Sequence, residues 1–249
     1  MNFDNQTILV TGAASGIGAA VATRLANCGA RKLILVDKDE DRVRDFAFSL
    51  PCERALLVGD VADPAIWREA DLTGLTHAVV NAGIASAGPI DTLELDEWRR
   101  VMAVNLDGAF LTLQAAMRAM NSSGGSIVLT ASAAGLKAER GIAAYAASKA
   151  AVIQLARVAA KEGAAQKIRV NVIAPGGVET PIWDAVPLFA DRASEIGRDA
   201  AFTELAAMAT PLKRYAQPDE IAAQIAFLLS SDCATVTGTI FVSDGGYTL

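Results

Sequence analysis

The pattern that most restricts the fold of this chain is an alternation of short, nearly continuous apolar runs with longer segments of helical periodicity. Runs such as residues 8–10 and 33–36 are typical of parallel strands that helices cover on both faces. The alternation predicts a doubly wound α/β fold on a mainly parallel sheet. The predicted strands are residues 7–11, 32–36, 55–59, 77–81, 126–130, 169–174 and 239–243, and the predicted helices are 16–29, 39–49, 63–71, 96–120, 143–162 and 218–230.

No repeat or low-complexity linker divides the 249 residues, and open α/β folds often reach this length as one domain. We therefore predict a single domain over residues 1–249. Residues 176–215 interrupt the alternation with a stretch rich in Trp, Phe, Pro and acidic residues. Connections of that length in a compact domain are usually functional covers, so we interpret this segment as a substrate lid. The alternative is a structured insertion of two short helices without a role in substrate binding.

Charge and composition exclude several classes of function. The chain has 22 Lys and Arg against 28 Asp and Glu, a net charge of −6, and no long basic run, which argues against nucleic-acid binding. No apolar run is long enough to span a bilayer, and strand-like residues begin by Thr7, so we expect neither a membrane anchor nor a signal peptide. Cys28, Cys52 and Cys233 lie far apart in sequence without metal-ligand spacing, as expected of structural thiols in a reducing cytoplasm.

A glycine-rich turn directly follows the first predicted strand and opens a helix. Glycines there allow a tight turn and a close approach to a pyrophosphate, whose charge the free N–H groups of the helix can bind. The spacing is G-x-x-x-G-x-G, and no Gly-Lys-Ser/Thr of a P-loop follows it. The turn predicts a nucleotide site, and a turn needed only for packing is the alternative. The residues concerned are Gly12, Ser15, Gly16, Ile17 and Gly18.

An acidic residue, Asp37, stands at the end of the second predicted strand, 19 residues after Gly18. A carboxylate at this point of the fold can bind both ribose hydroxyls and would repel a 2′-phosphate. Lys38 follows it, but so do two acidic residues, and Ser15 offers no cation for a phosphate. These charges favour NAD over NADP.

The candidate catalytic residues begin with Tyr145 and Lys149, which share one face of a predicted helix because they are four residues apart. A phenol that acts near neutral pH needs its pKa lowered by about three units, which nearby positive charge can supply. Ser132 stands at the end of the predicted strand 126–130, and Asn105 lies inside the predicted helix 96–120. Because His77 is the only histidine, neither a Ser-His-acid mechanism nor a His-metal site is available, and we interpret it as structural.

Taken in order along the chain, these motifs resemble those of the short-chain dehydrogenase/reductase family. The resemblance implies a Rossmann-like sheet with strand order 3-2-1-4-5-6-7 and hydride transfer between a nicotinamide and a carbonyl or alcohol carbon. It covers almost the whole chain and is specific because several motifs coincide on the right elements. The matching residues are Thr11, Gly12, Gly16, Ile17, Gly18, Asp60, Val61, Asn81, Ala82, Gly83, Asn105, Ser132, Tyr145, Lys149, Pro175 and Gly176.

The resemblance also implies a role for each candidate catalytic residue. Tyr145 would exchange a proton with the substrate oxygen, and Ser132 would hydrogen-bond the same oxygen. Lys149 would lower the pKa of Tyr145 and bind the nicotinamide ribose, while Asn105 would hold a water that links Lys149 to solvent. The cofactor carries the hydride chemistry itself.

Further cofactor contacts follow from the same resemblance. Asp60 and Val61 would flank the adenine, and residues 81–83 would run beneath the adenosine. The chain departs from the family in having Val80 before Asn81, for which we expect a small effect on stability, and in a short stretch between Asp60 and Asn81. The segment that would hold the nicotinamide amide comprises Pro175, Gly176, Val178 and Thr180.

The substrate is expected beneath the lid, beside Ser132 and Tyr145. An apolar wall there would favour a fairly apolar secondary alcohol or ketone, although the same side chains could simply pack the lid against the domain. The residues predicted to form this wall are Ala134, Gly177, Trp183, Val186, Leu188 and Phe189.

Helices 96–120 and 143–162 carry small apolar residues on more than one face, so a second face must be buried elsewhere. The resemblance implies a homotetramer assembled through these helices.

The leading hypothesis for the function is an NAD-dependent dehydrogenase of secondary alcohols. The alternatives are a biosynthetic 3-oxoacyl-type ketoreductase, with which Asp37 and Ser15 conflict, and a non-catalytic dinucleotide-sensing protein.

Overall fold

The computed structural model describes residues 1–249, and a parallel sheet of seven strands forms its centre. The sheet confirms the predicted fold class and the predicted strand order, which is β3-β2-β1-β4-β5-β6-β7 when the strands are numbered along the chain. The strands are β1 (Thr7–Thr11), β2 (Lys32–Asp37), β3 (Glu53–Val58), β4 (His77–Val80), β5 (Gly125–Thr130), β6 (Ile168–Pro175) and β7 (Ile240–Ser243).

Helices cover both faces of the sheet, as the unbroken apolar strands require. Because successive side chains of a strand point to opposite faces, Ile8 and Val10 of β1 belong to one core while Leu9 belongs to the other. The first core contains apolar side chains of the first, second and last helices, and the second core contains those of the fifth and sixth. The helices are α1 (Gly16–Asn27), α2 (Glu40–Phe48), α3 (Pro64–Glu69), α4 (Leu95–Met102), α5 (Gly108–Met120), α6 (Ala143–Gly163), α7 (Pro187–Ile196), α8 (Arg198–Ala209) and α9 (Pro218–Leu229).

The helix predicted at 96–120 is not continuous. A π-helical segment, Ala103–Asp107, separates α4 from α5, and Asn105 lies within it. Such segments are often found at functional sites, and the hydrophobic period alone does not reveal them. The helix α3 is short and buries none of its residues, in keeping with the trimmed stretch expected between Asp60 and Asn81.

The segment 176–215 contains two helices, α7 and α8. The interpretation of this segment as a lid did not include them, whereas the alternative of a structured insertion did predict two short helices. Gly197, with a φ of 85°, separates them. The helices enclose a small aromatic cluster of their own, in which the ring centroids of Phe189 and Phe202 are 4.4 Å apart. The sequence shows little hydrophobic periodicity here, because alanines are distributed around the whole circumference of α8. The lid is therefore a folded unit with its own core.

No helix combines the length and the apolar character that crossing a membrane would demand.

Candidate active site

A cavity of about 480 Å³ opens at the carboxyl ends of the strands. This is the edge of an open α/β sheet at which ligands bind, because the loops after successive strands converge there. Its wall includes residues that follow each of the seven strands, and most of the predicted site residues lie in it. These are Gly12, Ser15, Gly16, Ile17, Asp37, Asp60, Val61, Asn81, Ala82, Gly83, Ser132, Ala134, Tyr145, Lys149, Pro175, Gly176, Gly177, Val178, Thr180 and Trp183.

The glycine turn after β1 leaves the start of α1 open to the cavity. Gly12 and Gly16 have positive φ values of 65° and 53°, which suit glycine. Ser15 is the N-cap of α1 but its side chain makes no capping hydrogen bond, and the first turn holds no acidic residue. The first N–H groups of the helix are therefore available to an anion such as a pyrophosphate.

Gly18 does not line the cavity and has a packing role in this turn. A Cβ at this position would lie 1.9 Å from the carbonyl oxygen of Gly12 and 2.9 Å from Nδ2 of Asn81. The third glycine thus lets α1 approach the turn after β1, while the first two shape the surface that faces the ligand.

The carboxylate of Asp37 is held in place at the end of β2. The backbone N–H of Ala14 donates to its Oδ2 at 2.9 Å, and that of Asp39 donates to its Oδ1 at 3.1 Å. Both oxygens retain lone pairs for further donors, and the side chain lies in the cavity wall. Lys38 lines the same end of the cavity.

Asn81 ties the loop after β4 to the end of β1. Its backbone N–H donates to Oγ1 of Thr11 at 2.9 Å, and its Nδ2 donates to the carbonyl oxygen of Thr11 at 3.1 Å. Val80, where the chain departs from the family pattern, is buried in the second core among apolar side chains. Apolar packing at this position is consistent with a small effect of the departure on stability.

The backbone of Pro175 to Thr180 crosses the floor of the cavity. A Cβ on Gly176 would lie 2.8 Å from Cα of Asp244, in the segment after β7. Val178 pairs with Ala216 in an isolated parallel bridge, which joins the two ends of the lid. This segment therefore has a defined position under the lid.

Ser132, Tyr145 and Lys149 meet at the centre of the cavity wall. Ser132 follows β5 and caps a short 3-10 turn, since its Oγ accepts a hydrogen bond from the N–H of Ala134 at 3.2 Å. Its hydroxyl also reaches the carbonyl oxygen of Pro175 at 3.5 Å. Tyr145 and Lys149 lie one turn apart on α6, and Nζ of Lys149 is 5.7 Å from the centroid of the Tyr145 ring.

Burial dominates the electrostatics of this group. Nζ of Lys149 donates to the carbonyl oxygen of Thr130 at 3.0 Å, and desolvation lowers the pKa of the ammonium to about 8. Desolvation also raises the pKa of Tyr145, and a hydrogen bond with Ser132 opposes that rise. The expected lowering of the Tyr145 pKa therefore does not arise from the protein alone, because the buried environment disfavours the phenolate.

Asn105 stands behind the cavity wall and does not line it. Its Oδ1 accepts from the N–H of Ile84 at 2.8 Å, and its Nδ2 donates to the carbonyl oxygen of Ile84 at 3.0 Å and to Oγ of Ser148 at 3.1 Å. Ser148 Oγ in turn donates to the carbonyl oxygen of Tyr145. The side chain thus fixes the loop after β4 against α6, and both of its N–H donors are already used.

The apolar wall predicted for the substrate is only partly correct. Ala134, Gly177, Trp183 and Val186 line the cavity. Leu188, however, is 69% exposed on the outside of the lid, and Phe189 is buried in the lid's own aromatic cluster. Adjacent residues of α7 point in different directions, so a run of apolar letters could not tell which of them faces the cavity.

Two further tyrosines, Tyr215 and Tyr247, line the cavity and were not predicted from the sequence. Tyr215 lies where the lid returns to the domain, and Tyr247 lies in the turn after β7. Because β7 lies parallel to β6, their carboxyl ends meet at the same edge of the sheet. The position of Tyr247 shortly after β7 could therefore have indicated that it lines the cavity. Tyr215 carried no comparable signal, because only the folded lid turns it inward.

No group of three or more His, Cys, Asp or Glu side chains has the arrangement of a metal site.

Comparisons with known proteins cover nearly the whole chain. The family model described as enoyl-(acyl carrier protein) reductase matches residues 12–248. D-threitol dehydrogenase of Mycolicibacterium smegmatis is 38% identical, with 99% of this chain and 94% of that protein covered. Meso-2,3-butanediol dehydrogenase of Serratia marcescens is 35% identical, with 100% and 96% covered. The crystal structure of a short-chain type dehydrogenase/reductase from Mycobacterium marinum superposes with a TM-score of 0.89 at 32% identity, covering 99% of this chain and 97% of that one.

Proposed function

The chain belongs to the short-chain dehydrogenase/reductase family, and we propose that it transfers hydride between NAD and a secondary alcohol or ketone, with Tyr145 as the general acid and base. It is an alcohol dehydrogenase or ketone reductase, and its relatives include dehydrogenases of threitol and butanediol. The observation that carries the proposal is the meeting of Ser132, Tyr145 and Lys149 in one cavity with the glycine turn and Asp37.

The nucleotide end of the cavity fits a dinucleotide. The uncapped start of α1 suits a pyrophosphate, and the fixed carboxylate of Asp37 suits a pair of ribose hydroxyls. A Cβ on Gly12 would lie 3.0 Å from Cα of Ala82, and one on Gly16 would lie 3.2 Å from Cγ2 of Thr180, so side chains at these positions would crowd the wall. The bound nicotinamide would supply the carbon that accepts or donates hydride and, when oxidised, a positive charge.

The preference for NAD rests on Asp37. A 2′-phosphate placed against a carboxylate is repelled, and the neighbouring loop offers only the hydroxyl of Ser15 in compensation. Lys38 is the one cation in this part of the cavity wall. We expect the repulsion from Asp37 to outweigh it, because Asp37 is the residue held by two backbone donors.

Tyr145 moves the substrate proton. During oxidation its phenolate would take the proton of the alcohol, and during reduction its phenol would return a proton to the carbonyl oxygen. Ser132 would donate a hydrogen bond to that oxygen and hold it beside Tyr145. Lys149, which the Thr130 carbonyl fixes at 3.0 Å, would place a positive charge near the phenolate and a donor near the nicotinamide ribose.

The substrate would bind between the reacting group and the lid. Trp183 and Val186 give this end of the cavity apolar walls, which favours a mainly apolar alcohol or ketone. Nε1 of Trp183 donates to the carbonyl oxygen of Val178 at 2.9 Å, which fixes the indole in the wall of the cavity. The lid as a whole would close the substrate off from water.

We further propose that residues 1–249 act as one catalytic domain in the cytoplasm and assemble as a homotetramer through α4, α5 and α6. Phe110 of α5 is 44% exposed and Val158 of α6 is 44% exposed, so these helices present apolar side chains that a neighbouring subunit could cover. A monomeric mass in light scattering at micromolar concentration would contradict the tetramer.

The test of the proposed reaction is the Tyr145→Phe variant. Cofactor reduction is followed at 340 nm with NAD and with NADP over a panel of aliphatic, cyclic and aromatic secondary alcohols. We expect turnover by the native enzyme with NAD, and a loss of kcat by about 10³-fold in the variant, since only the proton-transferring hydroxyl is removed. NADH binding, measured by fluorescence titration, should change little.

Tyr247→Phe is the matched comparison, because it removes the same hydroxyl elsewhere in the cavity wall. It should retain at least about a tenth of the native kcat, since no proton transfer is assigned to it. Unchanged turnover in Tyr145→Phe would remove Tyr145 from the mechanism. NADH binding without turnover of any alcohol would favour the dinucleotide-sensing alternative.

A further inference from the structure

One polar group at the substrate end of the cavity is not used by the reaction described above. Tyr215 lines the cavity although only 7% of its surface is exposed. Its ring stacks on Trp183, with centroids 5.1 Å apart and planes inclined by 24°. A Cβ on Gly177 would lie 2.2 Å from Cδ1 of Tyr215, so the ring also lies directly against the backbone there. The phenol is thus clamped between a lid side chain and the cavity floor.

The hydroxyl of Tyr215 has no partner in the protein. Burial raises its pKa, and no hydrogen bond contributes to that shift. The fully enclosed polar atoms that lack a partner are Nε of Arg24, Oγ1 of Thr130 and Oε1 of Gln224, and the Tyr215 hydroxyl is not among them. Because the Tyr215 hydroxyl has no partner and yet is not one of these fully enclosed atoms, it must retain some accessible surface. The opening available to it is the cavity that Tyr215 lines.

An unpaired hydroxyl on a clamped ring is a ready hydrogen-bonding group. Buried polar groups almost always find a partner, and leaving one unpaired in a closed site is unfavourable. Because Trp183 and Gly177 restrict the ring, the hydroxyl cannot swing to a distant protein acceptor. A ligand oxygen that reaches it would satisfy it without reorganisation of the site.

Tyr215 packs against the same backbone segment that Ser132 contacts. Gly177, against which its ring packs, comes two residues after Pro175, whose carbonyl oxygen receives the hydroxyl of Ser132 at 3.5 Å. A substrate held by Ser132 and Tyr145 therefore extends towards Tyr215 when it fills the space under the lid. The second oxygen would belong to the same small molecule.

The charges around this end of the cavity select against an anionic substituent. Lys38 and Lys149 are the only cationic residues in the wall, and they belong to the nucleotide end and to the reacting centre. Beside Tyr247, Glu139 contributes to a raised pKa of the phenol. Nζ of Lys137 lies 4.4 Å from the centroid of the Tyr247 ring, but it donates to the carbonyl oxygen of Tyr247 at 2.7 Å and the residue does not line the cavity. A carboxylate or phosphate on the substrate would therefore find no cationic side chain lining this end of the cavity.

We propose that the Tyr215 hydroxyl binds a second, uncharged oxygen of the substrate, so that the preferred substrates are diols and the corresponding hydroxyketones. The inference rests on the proposed alcohol oxidation and names the substrate class within it. Tyr215 is then a specificity residue: it orients the substrate and takes no part in proton transfer.

The test compares cyclohexanol with the 1,2-, 1,3- and 1,4-cyclohexanediols, as cis and trans isomers, in NAD-dependent oxidation. This series varies the position of the second hydroxyl on one ring. We expect at least one diol to exceed cyclohexanol in kcat/KM. In Tyr215→Phe, which keeps the ring and its stacking on Trp183, the kcat/KM for that diol should fall about 3- to 30-fold, and the value for cyclohexanol should change less than about twofold.

Two further arms locate the effect. Tyr247→Phe should leave the preference for the diol over cyclohexanol in place, and loss of the preference in this variant would overturn the assignment to Tyr215. Oxidation of 4-hydroxycyclohexanecarboxylate at least as efficient as that of the best diol would overturn the uncharged character of the substituent. NADH affinity and thermal midpoint of Tyr215→Phe should match those of the native protein, which shows that the variant folds.

Failure of this inference differs from failure of the proposed reaction. If no alcohol in the series is oxidised with either cofactor, the proposed reaction itself fails. If cyclohexanol and the diols are oxidised equally well, or if Tyr215→Phe lowers kcat/KM for all of them by the same factor, the reaction stands and the role of Tyr215 is overturned.

Discussion

At the nucleotide end of the cavity the wall is mainly backbone at the ends of strands, whereas at the substrate end it is mainly side chains carried by the lid. Gly12 and Gly16 leave peptide groups exposed to a ligand, and Asp37 is held by backbone donors. Trp183 and Tyr215 instead hold each other by stacking. A wall of backbone groups can contact only those chemical groups that all dinucleotides have in common. A wall of side chains, in contrast, can be changed by substitution without altering the sheet.

The two ends also differ in what supports them. The strands behind the nucleotide end belong to two cores of 26 and 22 buried residues, while the lid cluster contains only 6. A small satellite cluster opens at a lower free energy than the main core. Cofactor binding should therefore depend on the stability of the whole domain, and substrate binding on the stability of the lid alone.

The largest effect is expected for Gly18→Ala. The new Cβ would lie 1.9 Å from the carbonyl oxygen of Gly12, so the turn after β1 must shift. We expect the free energy of unfolding to fall by about 3 kcal/mol and NADH binding to weaken more than about 100-fold. Urea unfolding and fluorescence titration measure the two effects.

Gly74→Ala is the control for this prediction. Gly74 has a positive φ of 72°, but a Cβ there meets no atom within 4 Å. It should lose only about 1 kcal/mol, from backbone conformation alone, and keep native NADH affinity. Native NADH affinity in Gly18→Ala would contradict the packing role given to that glycine.

A smaller and more local effect is expected for Phe202→Ala, which removes the centre of the lid cluster. Phe202 contacts Phe189, with ring centroids 4.4 Å apart, and lies nearly perpendicular to Trp183, with ring centroids 6.0 Å apart. A large-to-small change in a core usually costs several kcal/mol, and here we expect the lid to open locally. The kcat/KM for the alcohol should fall about 10- to 100-fold, while NADH affinity stays within about twofold.

Phe48→Ala provides the matched substitution outside the lid, since Phe48 is 72% exposed on α2. It should change both parameters very little. If Phe202→Ala weakened NADH binding as strongly as it lowered kcat/KM, the two ends of the cavity would be one cooperative unit, and the comparison would be wrong.

The smallest effect concerns His77, which lies at the amino end of β4, away from both ends of the cavity. Burial, with a contribution from the charge of Arg169, lowers its pKa from 6.5 to about 4. The unfolded chain therefore binds a proton more readily than the folded chain between these values. The stabilisation by neutral His77 is complete above about pH 6.5 and is lost progressively as the pH falls from about 6.5 to about 4.

Between pH 7 and pH 5 this difference amounts to about 2 kcal/mol of the free energy of unfolding. His77→Gln, which cannot titrate, should remove this part of the pH dependence in urea unfolding. The ratio of NADH affinity in the variant to that in the native protein should stay constant with pH. An unchanged pH dependence of unfolding in the variant would show that His77 is not the titrating group.

Several features of the fold follow from the order of residues. The apolar runs predicted seven parallel strands, because strands covered on both faces need no polar side, and the strand order came from the family resemblance. The glycine turn, Asp37 and the Tyr145 and Lys149 pair fall at the cavity because the strand ends and one turn of a helix fix their places. Local spacing is sufficient where the backbone geometry is regular.

Other features were decided only when distant segments packed together. The sequence did not show that Leu188 points outward while Val186 points inward, nor that Tyr215 turns into the cavity, because each depends on how α7 and α8 pack around their own aromatic cluster. The raised pKa of Tyr145 and the lowered pKa of Lys149 likewise come from burial, which no spacing of residues reveals. The sheet and the residues at its edge could be predicted from the order of residues, since these follow from periodic local preferences. The tertiary structure alone decided the desolvation, the orientation of the lid side chains and the shape of the substrate end, since these arise from contacts between residues far apart in the chain.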